Sequence, residues 1–170
     1  CTGSALALNW ENANVDAILN AWYGGQEAGT AVADILFGDY NPSGRLPVTF
    51  YKSIDQLPDF EDYSMKGRTY RYMPQTPLYP FGYGLSYTNF AYRNAKLSST
   101  KIAKDQPVTL TFDIANTGKT DGDEVAQVYI KNPNDPEGPI KALKAFLRVH
   151  VKAGDSQEVN LKLTPEAFYS

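Results

Sequence analysis

Cysteine is all but missing from this sequence: Cys1 is the only one in 170 residues, so no disulfide can form within the chain. Cysteine usage therefore leaves the redox compartment unread. Concentrated charge is missing too. Sixteen Lys and Arg against nineteen Asp and Glu give a formal charge of -3, spread along the chain without a long run of either sign. That excludes the electrostatic footprint of a nucleic-acid binder and favours neutral or weakly charged ligands. No apolar stretch is long enough to span a bilayer, and no charged segment leads into an apolar run at the start. Internal repeats and low-complexity segments are lacking. Nothing calls for a metal, and no cofactor is expected.

What is present suffices for a core: 42% of the residues are hydrophobic and 13% aromatic, including twelve tyrosines and two tryptophans. Aromatic faces suit the apolar C–H patches of sugar rings, although most such rings serve packing.

The first half reads as helical. Ser4–Leu8 is a small-apolar run of the kind that forms a buried strand, and Asn14 is an N-cap type. Val15, Ile18, Leu19 and Trp22 recur at i, i+3, i+4 and i+7, which predicts a helix from Asn14 to the stop at Gly24-Gly25. A second helix is expected from about Gln26, with Ala28, Ala31, Val32, Ile35 and Leu36 on one stripe and Gly38 at a left-handed C-terminal cap. Asn41-Pro42-Ser43-Gly44 is turn chemistry, and Leu46–Phe50 can be a short strand. From Tyr51 to Tyr83 no period persists, and so long an irregular stretch is usually functional or interfacial. Pro77–Tyr87 reads as a closely packed connection between two units.

After Asn89 the period becomes two. Val108, Leu110, Phe112 and Ile114 alternate with Thr109, Thr111 and Asp113, a strand with one face buried. Ala126, Val128 and Ile130 mark another, as do Leu147, Val149 and Val151, and then Val159, Leu161 and Leu163. With Phe90–Leu97 in front, five strands of an antiparallel sandwich are expected, two short of the seven in an immunoglobulin-like domain.

Several motifs occur in a recognisable order: Trp22-Tyr23-Gly24-Gly25-Gln26-Glu27-Ala28-Gly29, then Ile35-Leu36-Phe37-Gly38-Asp39-Tyr40-Asn41-Pro42-Ser43-Gly44-Arg45-Leu46-Pro47 and Pro80-Phe81-Gly82-Tyr83-Gly84-Leu85-Ser86-Tyr87. Asn116-Thr117-Gly118, Gly122-Asp123-Glu124-Val125-Ala126-Gln127-Val128-Tyr129 and Ala142-Leu143-Lys144-Ala145-Phe146 follow. In this order they resemble the C-terminal region of family 3 glycoside hydrolases. The resemblance implies an α+β fold: residues 1–87 as the C-terminal remnant of an α/β sandwich domain, and 88–170 as a fibronectin type III-like, immunoglobulin-like β-sandwich, expected to be incomplete.

Members of that family remove single sugars from the non-reducing ends of β-glycosides with retention. Such chemistry needs two carboxyls about 5–5.5 Å apart. The resemblance assigns the nucleophilic Asp to an N-terminal TIM barrel and the acid/base Glu to a loop early in the α/β domain, neither of which these residues match. No catalytic residue is therefore expected here, and the chain reads as truncated at both ends. Its implied partners are a β-linked glycoside or oligosaccharide acting through the full enzyme, the TIM barrel with the rest of the α/β domain, and, to cover exposed apolar faces, a homo-oligomer. A secreted or periplasmic location is implied. Gly67-Arg68-Thr69-Tyr70-Arg71-Tyr72 before Pro80-Phe81-Gly82 is more similar to the β-xylosidase branch than to the β-glucosidase branch. From another class comes a non-catalytic carbohydrate-binding or protein-interaction sandwich.

Candidate side chains concentrate between residues 59 and 72. Asp59, Glu61, Asp62, Tyr63, Arg68, Tyr70, Arg71 and Tyr72 mix acids, cations and rings, which suits either a sugar subsite or a domain contact. Glu61, Arg68, Tyr70 and Tyr72 are the substrate-binding candidates; Arg68 can instead pair with Asp39 or Glu61. Glu27 in its Gly-rich turn can be read as a proton donor, or as the acid that opens the second helix. Asp121, Asp123 and Glu124 are too few and too irregular for a calcium loop and read as a turn of solvated acids. His150, between Val149 and Val151, should face solvent.

Overall fold

The computed structural model describes residues 1–169. Its chain divides into two compact units: Cys1–Tyr40 with Arg45–Gly84, and Asn41–Gly44 with everything from Leu85 onward. Helices dominate the regular structure of the first, and antiparallel strands that of the second, so the class is α+β.

In the first unit, α1 spans Asn9–Asn14, α2 Ala28–Phe37 and α3 Thr69–Tyr72. Helix α2 stops where its sequence says, because Gly38 takes φ 84° and its amide turns back to the Ile35 carbonyl. That left-handed geometry costs a residue with a Cβ roughly 1–2 kcal/mol and glycine almost nothing. Glu27 stands at the N-cap, where Oε2 accepts from Thr30 Oγ1 at 3.1 Å.

The helix expected over Asn14–Trp22 does not form. The helical turn lies upstream at Asn9–Asn14, Val15 is already extended at φ -120° and ψ 149°, and Trp22 has φ 52°, outside any right-handed helix. The apolar spacing of Val15, Ile18, Leu19 and Trp22 is therefore not a helical face. Trp22 is used differently, with its ring edge-on to Phe50 at 6.2 Å. Ser4–Leu8 is not a strand either, since no ladder partner lies beside it among the described residues. The expected strand Leu46–Phe50 reduces to a clamp at its two ends. Leu46 and Gly82–Tyr83 exchange backbone bonds of 2.7 and 2.8 Å, and Phe50 bridges Tyr79. Phe50, 1% exposed, is the anchor of this unit, and Tyr79 beyond it stacks on Tyr83 at 5.2 Å.

The second unit holds the five strands anticipated from the period-two pattern: β1 Phe90–Leu97, β2 Val108–Asn116, β3 Gly122–Ile130, β4 Ala142–Val151 and β5 Ser156–Leu163. They form an antiparallel sheet in the order β1-β2-β5 and an antiparallel β3-β4 pair. Phe112, Ile114, Ala126, Val149, Val151 and Val159 make the core between them.

Asn116 closes one end of this sandwich. Its side chain is 2% exposed, and every hydrogen-bonding position on its amide is filled. Oδ1 accepts from Thr88 Oγ1 at 2.6 Å and from the Gly118 amide at 3.0 Å; Nδ2 donates to the carbonyls of Thr120 at 2.9 Å and Val151 at 3.0 Å. The Asn-Pro-Ser-Gly motif clusters here for a similar reason. Asn41 Oδ1 accepts from the Tyr87 amide at 2.8 Å and pairs with Ser86 Oγ, pinning the segment that leads into β1.

Candidate functional site

The segment between residues 59 and 72 is irregular in outline but closely braced. Asp59 Oδ1 accepts the Glu61 amide at 2.9 Å and Asp62 Oδ1 the Ser64 amide at 2.8 Å, so both acids act as local turn formers. For Asp62 the Ser64 amide, followed by the Ser64 hydroxyl, holds the carboxyl below its ordinary value against desolvation, with the Arg68 charge adding a lesser lowering effect. Arg68 fastens the loop from below. Its Nη2 donates to the Asp59 carbonyl at 2.9 Å and the Asp62 carbonyl at 2.6 Å, and Nε to the Ser64 carbonyl at 3.2 Å. The guanidinium thus meets main-chain carbonyls rather than the carboxylates of Asp39 or Glu61, because the loop folds back on itself and presents its C=O groups inward.

The remaining candidates fall on α3. Thr69 opens it at φ 56°, unusual for a β-branched residue, with its amide 3.4 Å from Tyr51 Oη. Tyr70 stacks on Phe81 at 4.2 Å and 18° between planes. Arg71 places its guanidinium carbon 5.7 Å from the centre of the Tyr72 ring, and its Nε is buried with no hydrogen-bond partner among the described residues. Arg68, Tyr70 and Tyr72 are therefore brought onto one short helix and its N-cap, with Glu61 on the braced loop before it.

Sequence reasoning passed over Phe60. It and Tyr63 are each 93% exposed, at the outside of the same loop. The available signal was two rings alternating with acids in Asp59-Phe60-Glu61-Asp62-Tyr63, a composition that buries poorly.

In the second unit the acids near β3 do more than solvate a turn, which corrects the sequence reading. Asp121 Oδ1 accepts the Ala153 amide at 2.8 Å. Asp123 and Glu124, on successive positions of a strand, point to opposite faces. Asp123 lies between Arg148 Nε at 2.6 Å and His150 Nδ1 at 2.7 Å, whereas Glu124, buried, takes a hydrogen bond from Tyr92 Oη at 3.0 Å. Desolvation pushes the Asp123 carboxyl up, but the bonds from His150 and Arg148 outweigh it and hold it below its ordinary value. His150 is exposed, as its place in the strand predicts, yet it is paired to this carboxylate. A cleft of about 280 Å³ lies between the inner sides of β1, β2 and β3, lined largely by Tyr92, Leu110, Phe112, Ala126 and Val128. It carries none of the candidate sugar-binding residues.

The chain carries a short-helix unit bearing these glycine and proline motifs and an antiparallel sandwich. Residues 1–87 match the glycosyl hydrolase family 3 C-terminal domain, and residues 124–170 the fibronectin type III-like domain. The chain belongs to glycosyl hydrolase family 3. It is 55% identical over 169 residues to a xylan 1,4-beta-xylosidase of Xylanibacter ruminicola, covering 99% of this chain and 19% of that protein. To a periplasmic beta-glucosidase of Salmonella typhimurium it is 41% identical, covering 98% of this chain and 23% of that one. Among solved structures, a beta-glucosidase of Erythrobacter marinus superposes with a TM-score of 0.85 at 39% identity, over 98% of this chain and 22% of that one. The chain spans about a fifth of the length of the curated relatives it matches.

Proposed function

We propose that this chain is the C-terminal portion of an exo-acting, retaining β-glycosidase that degrades β-linked glycosides, with β-xylosides as its preferred substrates. The observation that carries the reading is the match of residues 1–87 to the family's C-terminal domain, joined to 55% identity across nearly the whole chain with a xylan 1,4-beta-xylosidase. The nucleophile and the acid/base belong to a TIM barrel and to an earlier part of the α/β domain. The 170 residues alone are inactive, and their role is scaffolding. The braced loop with Glu61, and Arg68, Tyr70 and Tyr72 behind it, shapes a subsite: Glu61 accepts from sugar hydroxyls, and the tyrosines hold the loop's base.

The test compares the parent gene product with the 170-residue chain on nitrophenyl β-xyloside and nitrophenyl β-glucoside. The parent should hydrolyse the xyloside faster and the chain should hydrolyse neither. A parent that binds xylan without cutting either substrate would instead make this a non-catalytic binding module. Turnover by the chain that survives purification and is abolished by Glu27→Gln would overturn the assignment of the catalytic acids.

A further inference from the structure

Arg71 differs from Arg68, one helical turn before it. Arg68 directs Nε and Nη2 at the carbonyls of Ser64, Asp59 and Asp62. Arg71 Nε is buried with no hydrogen-bond partner among the described residues, and among them no carboxylate forms an ion pair with its guanidinium. The Tyr72 ring, with its centre 5.7 Å away, attracts the cation but supplies no acceptor oxygen. A guanidinium stays charged at every ordinary pH, so Nε is a charged donor closed off from solvent. Native structures rarely leave such a group unmet, and a charged donor is costlier to strand than a neutral one. The turn that carries it is fixed. Thr69 holds φ 56°, its Oγ1 accepts from the Arg71 amide at 3.3 Å, and its carbonyl accepts from the amide of buried Met73 at 3.0 Å. A β-branched residue keeps that backbone conformation only where its surroundings impose it, and such strain gathers where a side chain must be aimed.

We propose that Arg71 is one half of an ion pair whose other half is an Asp or Glu side chain in the part of the full enzyme beyond these 170 residues, which rests on the glycosidase reading above. The chain spans about a fifth of the length of its curated relatives, so the remainder is where an acid absent from this unit can come from. A carboxylate received side-on meets Nε and one Nη with its two oxygens and balances the charge as well. A sugar hydroxyl or a main-chain carbonyl would satisfy the N–H and leave the cation unbalanced.

The experiment uses the full enzyme and follows the melting temperature of wild type and Arg71→Met from pH 7 down to about pH 3.5. Removing one side of a buried pair strands the other, so the variant should melt roughly 3–8 °C lower at pH 7. Arg71 holds the partner carboxyl below its ordinary value of about 4, and in the variant burial raises it above that value. The contribution of the pair is therefore complete at pH 7 and lost as pH falls, and the gap in melting temperature should close by roughly half at the acid end. Asp59 and Asp62 keep their own amide partners in both proteins, so their titration cancels in the comparison. Arg71→Gln sets a neutral N–H near the Nε position; it should lose less with the same pH trend, and it replaces Arg71→Met if that variant does not fold. A gap that is absent at pH 7, or constant down to the acid end, overturns the pair, the constant gap marking a neutral acceptor. Melting is read without turnover. A full enzyme that cuts neither nitrophenyl substrate therefore sinks the glycosidase reading separately and leaves this measurement to decide the pair.

Discussion

Replacing Asn116 with Asp keeps the shape of the side chain and changes one NH2 into a second oxygen. In the native protein that nitrogen donates to the Thr120 and Val151 carbonyls at 2.9 and 3.0 Å, in a site 2% exposed. The substitution removes both bonds and sets a carboxylate oxygen against two carbonyl oxygens. Each bond contributes roughly 0.5–1.5 kcal/mol net, and leaving a buried acceptor without a partner costs about 1–3 kcal/mol. The expected loss at neutral pH is therefore roughly 3–5 kcal/mol, a large part of what holds a small domain together. Thr88→Val, which removes only the 2.6 Å bond to Oδ1, should cost about 1 kcal/mol. Burial against two carbonyls raises the pKa of the new carboxyl above its unfolded value of about 3.9. Its protonated form, able to donate to one carbonyl, is thus the better tolerated. Stability is retained below that unfolded value and lost as pH rises through the folded one, so the deficit relative to wild type should widen from pH 4 to pH 7. Both tryptophans lie in the first unit, so fluorescence is a poor reporter. Amide exchange followed by mass spectrometry on peptides from β2 and β4 of the intact protein reads the effect directly. Wild-type protection in Asn116→Asp at pH 7, or a deficit that narrows as pH rises, would refute the argument.

Asp123→Asn should cost only about 0.5–1 kcal/mol, since both of its partners are more than half exposed and screened by solvent. The native carboxyl is held below its ordinary value, so its contribution is present above that value and lost as pH falls through the lowered one. The stability gap between wild type and variant should be present at pH 7 and close as pH falls through that lowered value, and a gap that stays constant or widens on acidification would contradict this. Gly38→Ala meets nothing within 4 Å but must hold φ 84°, so thermal unfolding should show a loss of about 1 kcal/mol of backbone origin. Gly118→Ala should cost roughly 2–3 kcal/mol, because its Cβ would collide with Thr88 Oγ1 and come within 3.0 Å of the Asn89 amide nitrogen. Equal losses at the two glycines would show that the close approach at Gly118 has been misjudged.

The strands of the second unit were legible because alternation is a local record of burial: along β2 Val108, Phe112 and Ile114 are buried and Thr109, Thr111 and Asp113 only partly so, until Ala115 and Asn116, which are buried as well. The end of α2 was legible for a comparable reason, since only glycine takes the left-handed cap cheaply. Residue types also marked Glu61, Arg68, Tyr70 and Tyr72 as candidates, for chemistry is written in side chains. What each of them touches was not. Arg68 could be matched by any nearby oxygen, and only the path of residues 59–68 put three carbonyls around it. Val15, Ile18, Leu19 and Trp22 carry a helical spacing that φ 52° at Trp22 cancels, and Asp123 and Glu124 acquire different partners once β4 and β1 lie beside β3. Patterns that depend on a residue and its near neighbours were determined by the sequence itself. Partners drawn from distant parts of the chain were decided by the tertiary structure, because hydrogen bonds and ring contacts reach only a few ångströms while the residues that meet are tens of positions apart.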